Sequence, residues 1–295
     1  SNEVLQIMWN PWKIAKYSLF MWRDASRHNH YDYEATVDAT VALYGEMLFP
    51  SNIRTTKKIK RLDDGMALIN GDGRFSLEWQ EGEYIPLLCD EHYLGSLSPN
   101  TVGAHYKTLI SNWSLQELYS RRFENTVKKY KQAGPVVKFI SKKLLKGKLD
   151  LNVARANMSR HIFLAHDFWH ILFRYPTTPL GEACVQGITH QFLEHTGPWY
   201  LSHFVALREC WIYKSWGPWM AVREAHKLAS VVPDEFYMLD FKELLESDIE
   251  DVRAKYNIGG NSKYWSFAKD KEPRNDVIHP EYRDQIVDGL FASEI

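Results

Sequence analysis

The fold is decided by the stretch from Ile162 to Glu182, IFLAHDFWHILFRYPTTPLGE, which contains two histidines, two carboxylates and two prolines. Apolar residues surround the histidines, so the first half is typical of a buried helix. Each residue of a helix advances about 100° around the axis. His166 and His170 are therefore predicted to share one helix face, and Asp167 flanks the same edge.

The second half of this stretch predicts a return of the chain. Pro176 and Pro179 end the first helix, because proline has no N–H and disfavours helix in the residue before it. A second helix is expected to begin near Thr178 or Pro179. The two helices would form a hairpin, and Glu182 would lie close to the two histidines.

Two imidazoles and two carboxylates in apolar surroundings indicate a metal site at His166, Asp167, His170 and Glu182. Burying these groups is costly unless partners satisfy them, and a divalent metal is such a partner. Zinc is the first expectation, with iron and magnesium as alternatives. The residues also have interpretations without metal, since most buried histidines are hydrogen-bonded core residues and a first-turn glutamate complements the helix dipole.

Other metal motifs fit less well. Asp167 stands where an H-E-x-x-H protease has its glutamate base. The cysteines, Cys89, Cys184 and Cys210, do not have zinc-finger spacing. A metal phosphohydrolase also carries a His-Asp doublet, but it needs a further histidine upstream and an aspartate downstream, and this alternative stays open.

The pattern H-D-x-x-H, followed by eleven residues and Glu182, resembles the signature of the coenzyme Q biosynthesis protein 4 family. Segments 61–69, 97–106 and 219–253 also resemble blocks of that family, so the resemblance spans about residues 35–258. The chain differs from the family at Phe173-Arg174, where many members have glycine, and in a longer, more basic segment at about 121–149.

The resemblance implies a metal-dependent lyase that removes the C1 carboxyl group of a prenylated or otherwise lipophilic aromatic acid, with or without hydroxylation at that carbon. His166 and His170 would be nitrogen ligands. Asp167 and Glu182 would be oxygen ligands, or one of them would transfer a proton. The alternative is a non-catalytic scaffold that binds isoprenoid lipids for other biosynthetic enzymes and has a structural metal site.

Helical periodicity elsewhere predicts a mainly α fold with a single helical-bundle domain at residues 35–258. Residues 1–34 are expected to be an N-terminal extension, and residues 259–295 an irregular C-terminal arm. One small β-hairpin is predicted at about 74–85. Beyond the metal hairpin, helices are predicted near 37–48, 115–131, 136–145, 199–215, 218–230 and 240–256.

Composition limits the partners and the compartment. A net charge of −1 gives no case for nucleic-acid binding, and three cysteines do not make a disulfide framework. No apolar run is long enough to span a bilayer and no signal peptide is recognisable, so a cytoplasmic location is expected. The expected partners are a lipophilic aromatic or isoprenoid small molecule and other biosynthetic enzymes, with a homo-oligomer also allowed.

Two further features bear on lipids. Eight lysines and no acid lie within the segment Lys128–Lys148, which predicts either peripheral contact with an anionic membrane on its inner face or a solvated helix face. Eleven tryptophans are present, several of them between Trp199 and Trp219. These aromatic residues are expected either to pack in the core or to form the wall of a lipophilic binding site.

Overall fold

A computed structural model describes residues 11–24, 86–110 and 164–271 of the 295-residue chain. Helices account for 78% of these described residues, and no strand occurs among them. This confirms the predicted mainly α fold. The helices are α1 (Pro11–Asp24), α2 (Glu91–Ser96), α3 (Val102–Ile110), α4 (described at 164–172), α5 (Pro179–Leu193), α6 (Thr196–Tyr213), α7 (Gly217–Ser230), α8 (Phe241–Glu246), α9 (Ile249–Lys255) and α10 (Ser262–Lys271), with a 3-10 helix at Asp234–Met238.

One of two compact units contains α1, α5, α6, α7 and α10. Helix α5 packs against α6 and α7, and α7 also packs against α10. Helix α1 is joined to α6 by a hydrogen bond between the hydroxyls of Ser18 and Tyr200 at 2.7 Å and by an edge-to-face contact of Trp22 with Phe204. The core of this unit includes the apolar side chains of α5: Leu180, Cys184, Val185, Ile188 and Phe192.

The other unit contains α2, α3, α4, the 3-10 helix, α8 and α9. Helix α3 packs against α2 and α8. Backbone hydrogen bonds tie the start of α3 to the α8–α9 junction: Val102 N–H donates to the Ser247 carbonyl and Ile249 N–H to the Asn100 carbonyl, both at 3.0 Å. Gly103 allows this close approach, because a Cβ there would lie 2.8 Å from the Leu245 carbonyl oxygen.

The predicted single helix at 240–256 is wrong in one respect, since the chain forms two short helices, α8 and α9, with a break at Ser247–Asp248. Asp248 starts α9 by accepting hydrogen bonds from the N–H groups of Glu250 and Asp251. An aspartate cap satisfies donors that have no partner within the helix. Because the helix breaks here, the Ser247 carbonyl and the Ile249 N–H are available to form the hydrogen bonds to the start of α3.

The expectation of an irregular C-terminal arm is wrong for its first part, because Ser262–Lys271 forms helix α10. Tyr264, Phe267 and Ala268 are buried, and they recur at the three- and four-residue spacing of one helix face. The polar residues between them conceal this pattern in the sequence. Glu224 of α7 accepts hydrogen bonds from the hydroxyl of Ser262 and from the backbone N–H of Lys263.

Several predictions lie outside the described residues. They are the β-hairpin at 74–85, the helices near 37–48, 115–131 and 136–145, and the basic segment Lys128–Lys148. Within the described ranges, no helix combines the length and the apolar character needed to cross a bilayer.

Candidate metal centre

His166 and His170 face each other on α4, as their four-residue spacing predicts. Their Nε2 atoms are 3.1 Å apart, and the two rings meet edge to face with centroids 4.8 Å apart. His170 is fully buried and His166 is half-buried. Two ring nitrogens thus converge on one face of a helix whose other described residues, apart from Asp167, are apolar.

Aromatic contacts hold α4 in place. The ring of Phe168 stacks on Tyr106 of α3 at 4.9 Å and on Phe241 of α8 at 5.4 Å. Trp169 meets Tyr237 edge to face at 6.1 Å. Because Phe168 and Trp169 lie between the two histidines, these contacts limit rotation of the helix that carries them.

Arg253 of α9 fixes the C-terminal end of α4. Its guanidinium is buried and donates hydrogen bonds to the carbonyls of Ile171 at 2.8 Å and Leu172 at 3.1 Å, and it also forms an ion pair with Glu250. The last carbonyls of a helix have no partner within it, and a cation there complements the helix dipole. Sequence reasoning placed Arg253 only in a family block and missed this role.

The turn after α4 is built as the prolines predict. Arg174 has a positive φ of 59°, and its carbonyl accepts a hydrogen bond from the side chain of Asn261 at 2.7 Å. The Thr178 hydroxyl caps α5 by accepting from Gly181 N–H at 3.1 Å, and Pro179 is the first helical residue. The predicted start of the second helix is confirmed.

Glu182 in the first turn of α5 completes the group. His166, His170 and Glu182 each offer one ligand atom, and these atoms all lie within 4.8 Å of one another. Among the described residues, these three side chains form a group whose composition and spacing could hold a metal ion. The two predicted histidines and the predicted glutamate are therefore brought together.

The donor set fits a divalent metal. Two nitrogens bound to one ion at about 2.05 Å are about 3.3 Å apart in tetrahedral geometry and about 2.9 Å apart at right angles. The observed 3.1 Å between the Nε2 atoms lies between these values, so the spacing suits a shared ion without selecting which one. The Glu182 side chain has rotatable bonds that allow its carboxylate to approach the two nitrogens.

Asp167 is not a member of this group. It is half-buried on α4, one residue after His166. On a helix it points about 100° away from His166. Its predicted part as a ligand or a proton-transfer group remains a prediction.

A second set of histidines, which sequence reasoning missed, lies on α5, α6 and α7. The ring of His226 is 5.5 Å from that of His190 and 5.0 Å from that of His203. Its ring nitrogens are 3.3 Å from Gln191 Nε2 and 3.2 Å from Ser202 Oγ. Burial, followed by the neighbouring His203 and His190, lowers the pKa of His226 to about 3. These imidazoles are widely separated in sequence, so no spacing rule finds them.

Comparisons of the chain with protein-family models, with curated proteins and with solved structures give no match. The resemblance to the coenzyme Q biosynthesis protein 4 family therefore remains a prediction that depends on the motif residues.

Proposed function

We propose that His166, His170 and Glu182 bind a divalent metal ion, and that the protein is a metal-dependent decarboxylase of a lipophilic aromatic acid. The observation that carries the metal site is the convergence of two imidazole nitrogens and one carboxylate within 4.8 Å. The reaction and the substrate class come from the family resemblance. Zinc is the first candidate, with iron and magnesium as alternatives.

The proposed reaction breaks the bond between ring carbon C1 and its carboxyl group. Carbon dioxide leaves, the electron pair stays on C1, and C1 takes up a proton. A bound divalent ion stabilises negative charge on a substrate oxygen. His166, His170 and Glu182 would hold the ion, and either Asp167 or Glu182 would transfer the proton to C1. An oxidative form of the reaction would require dioxygen as a co-reactant.

The metal site is tested by elemental analysis of protein purified without added metal or chelator. We expect about one divalent ion per chain in the wild type. In a metal titration, the affinity of His170→Ala should be at least about tenfold lower, because one ligand is removed. His92→Ala is the matched control, since His92 is exposed and lies on α2. Wild-type protein without metal, or equal losses in both variants, would contradict the site.

The reaction is tested with a prenylated hydroxybenzoate labelled with 13C in its carboxyl group. We expect labelled carbon dioxide from the wild type, none from His170→Ala, and wild-type release from His92→Ala. Binding of the labelled acid without release of carbon dioxide would contradict the proposed reaction.

A non-catalytic isoprenoid-binding scaffold is the second candidate. The complete burial of His170 is the observation that favours it, because the ligands of structural metal sites are enclosed whereas catalytic sites keep a position open; His166 and Glu182 are half-buried. In a scaffold, His170→Ala would lower thermal stability and lipid binding together, and no carbon dioxide would be released by any variant.

A further inference from the structure

His170 lies in the last turn of α4, where a helix is held least firmly. The helix ends at Leu172, two residues after this histidine. The last carbonyls of a helix have no partner within it, so its final turn frays unless other groups bind them. The 3.1 Å distance between the Nε2 atoms of His166 and His170 exists only while this turn stays helical. A metal ligand at this position therefore needs support from outside α4.

Arg253 of α9 supplies such support through two adjacent carbonyls. Its Nη2 donates to the carbonyl of Ile171 at 2.8 Å, and its Nε donates to the carbonyl of Leu172 at 3.1 Å. The guanidinium is planar, so these two N–H groups form a rigid two-pronged donor. Ile171 directly follows His170 in the chain. The two hydrogen bonds thus fix the backbone on the C-terminal side of the histidine.

The charge of Arg253 is buried against the end of α4. Its side chain is only 9% exposed, whereas that of its ion-pair partner Glu250 is 63% exposed. Burying a charge costs free energy, and an ion pair with a largely hydrated partner returns little of it. The two carbonyls of α4 contribute to the compensation, because they carry the negative end of the helix dipole. The guanidinium is therefore directed at the helix that carries both histidines.

Helix α9 is itself anchored, so Arg253 acts from a fixed place. The first residue of α9, Ile249, donates its N–H to the Asn100 carbonyl at 3.0 Å, and the side chains of Ile249 and Val252 are buried. Asp248 caps the helix by accepting hydrogen bonds from its first N–H groups. Partners on anchored elements keep metal ligands in their binding geometry.

We propose that Arg253 is a positioning residue of the metal centre, which holds His170 in its ligand geometry through the carbonyls at the end of α4. Arg253 acts on the backbone and does not touch the ion. The proposal rests on the proposed metal site but not on the proposed reaction. Loss of such an indirect partner typically lowers metal affinity about 10–100-fold.

The test is a titration of the full chain with Co²⁺, whose visible absorption when bound reports how its ligands are arranged. Arg253→Met removes the guanidinium and keeps an unbranched apolar side chain. We expect its Co²⁺ affinity to be about tenfold or more below that of the wild type, and the spectrum per bound ion to change. Arg253→Lys keeps the charge without the two-pronged donor, so its affinity should lie between the two.

Arg208→Met is the matched control. Arg208 of α6 is also a buried arginine that pairs with a glutamate, Glu209, and donates to a backbone carbonyl, that of Met21 on α1. Its replacement should lower stability in urea unfolding, while Co²⁺ affinity and the cobalt spectrum stay those of the wild type. This comparison separates positioning of a ligand from a general loss of stability.

Two results would overturn the positioning role: wild-type Co²⁺ affinity and spectrum in folded Arg253→Met, or an equal loss of affinity in Arg208→Met. Circular dichroism checks folding. If Arg253→Met is unfolded, Arg253→Lys decides, and wild-type affinity and spectrum in that variant would then overturn the role. A wild type that binds no Co²⁺ would overturn the metal site and this proposal together, whereas an unaffected Arg253→Met refutes the positioning role alone.

Discussion

His226 illustrates at the scale of one residue how burial alters protonation. Its imidazole is flanked by His190 and His203, while Gln191 and Ser202 lie beside its ring nitrogens. Burial lowers its pKa from 6.5 to about 3. The folded protein therefore keeps this group neutral at pH values where the unfolded chain protonates it.

The pH dependence of stability follows from the lowered pKa of His226. A depressed histidine pKa contributes stability that is fully present above about pH 6.5 and is lost as the pH falls toward about 3. We expect His226→Gln to remove up to about 2 kcal/mol of the difference in unfolding free energy between about pH 7 and about pH 5. Urea unfolding at both pH values measures this difference. His92→Gln, at an exposed position, should retain it, and an unchanged pH dependence in His226→Gln would contradict the assignment.

At the scale of elements, α4, the turn and α5 show what sequence patterns can and cannot predict. The prolines and Thr178 determine where α5 begins, because their effects on the backbone are local. The close approach at Gly181 follows from how tightly the turn folds: a Cβ there would overlap the carbonyl oxygen of Pro176, five residues earlier. Arg253 and Asn261 bind carbonyls of this region from far along the chain, and spacing rules could not have found them.

The tight approach at Gly181 can be tested by a single methyl group. We expect Gly181→Ala to lower the unfolding free energy by about 1–3 kcal/mol, since the chain must shift to relieve the clash. Metal affinity should fall as well, because Glu182 follows directly. Gly260→Ala is the matched control: a Cβ there meets nothing within 4 Å, so stability should stay close to that of the wild type. Denaturant unfolding and metal titration of both variants make the comparison, and equal stability would contradict this account of the turn.

At the scale of the whole molecule, metal binding is linked to folding. His166 and His170 on α4 and Glu182 on α5 can bind one ion together only when both helices are formed. An ion that binds the folded chain and not the unfolded chain stabilises the fold by mass action. The proposed metal site is therefore also a stability element.

Removal of the metal should lower the melting temperature. At a free metal concentration of 100 times Kd the stabilisation is about 2.7 kcal/mol. For a chain of this size that corresponds to roughly 5–10 °C. We expect this shift between metal-loaded and chelated wild type in differential scanning calorimetry, the same shift in His92→Ala, and none in Glu182→Gln. A wild-type melting temperature that does not respond to chelation would contradict the linkage.

The sequence by itself determined the mainly α class, the i, i+4 pairing of His166 and His170, and the start of α5, because helix periodicity and proline act over a few residues. The sequence also predicted that Glu182 lies near the histidines, but only the tertiary structure decided that Asp167 is not in the group and that the tail after Gly260 forms α10. It also decided that three tryptophans of the α6–α7 region are exposed. These outcomes depend on packing between residues far apart in the chain, which local spacing does not encode.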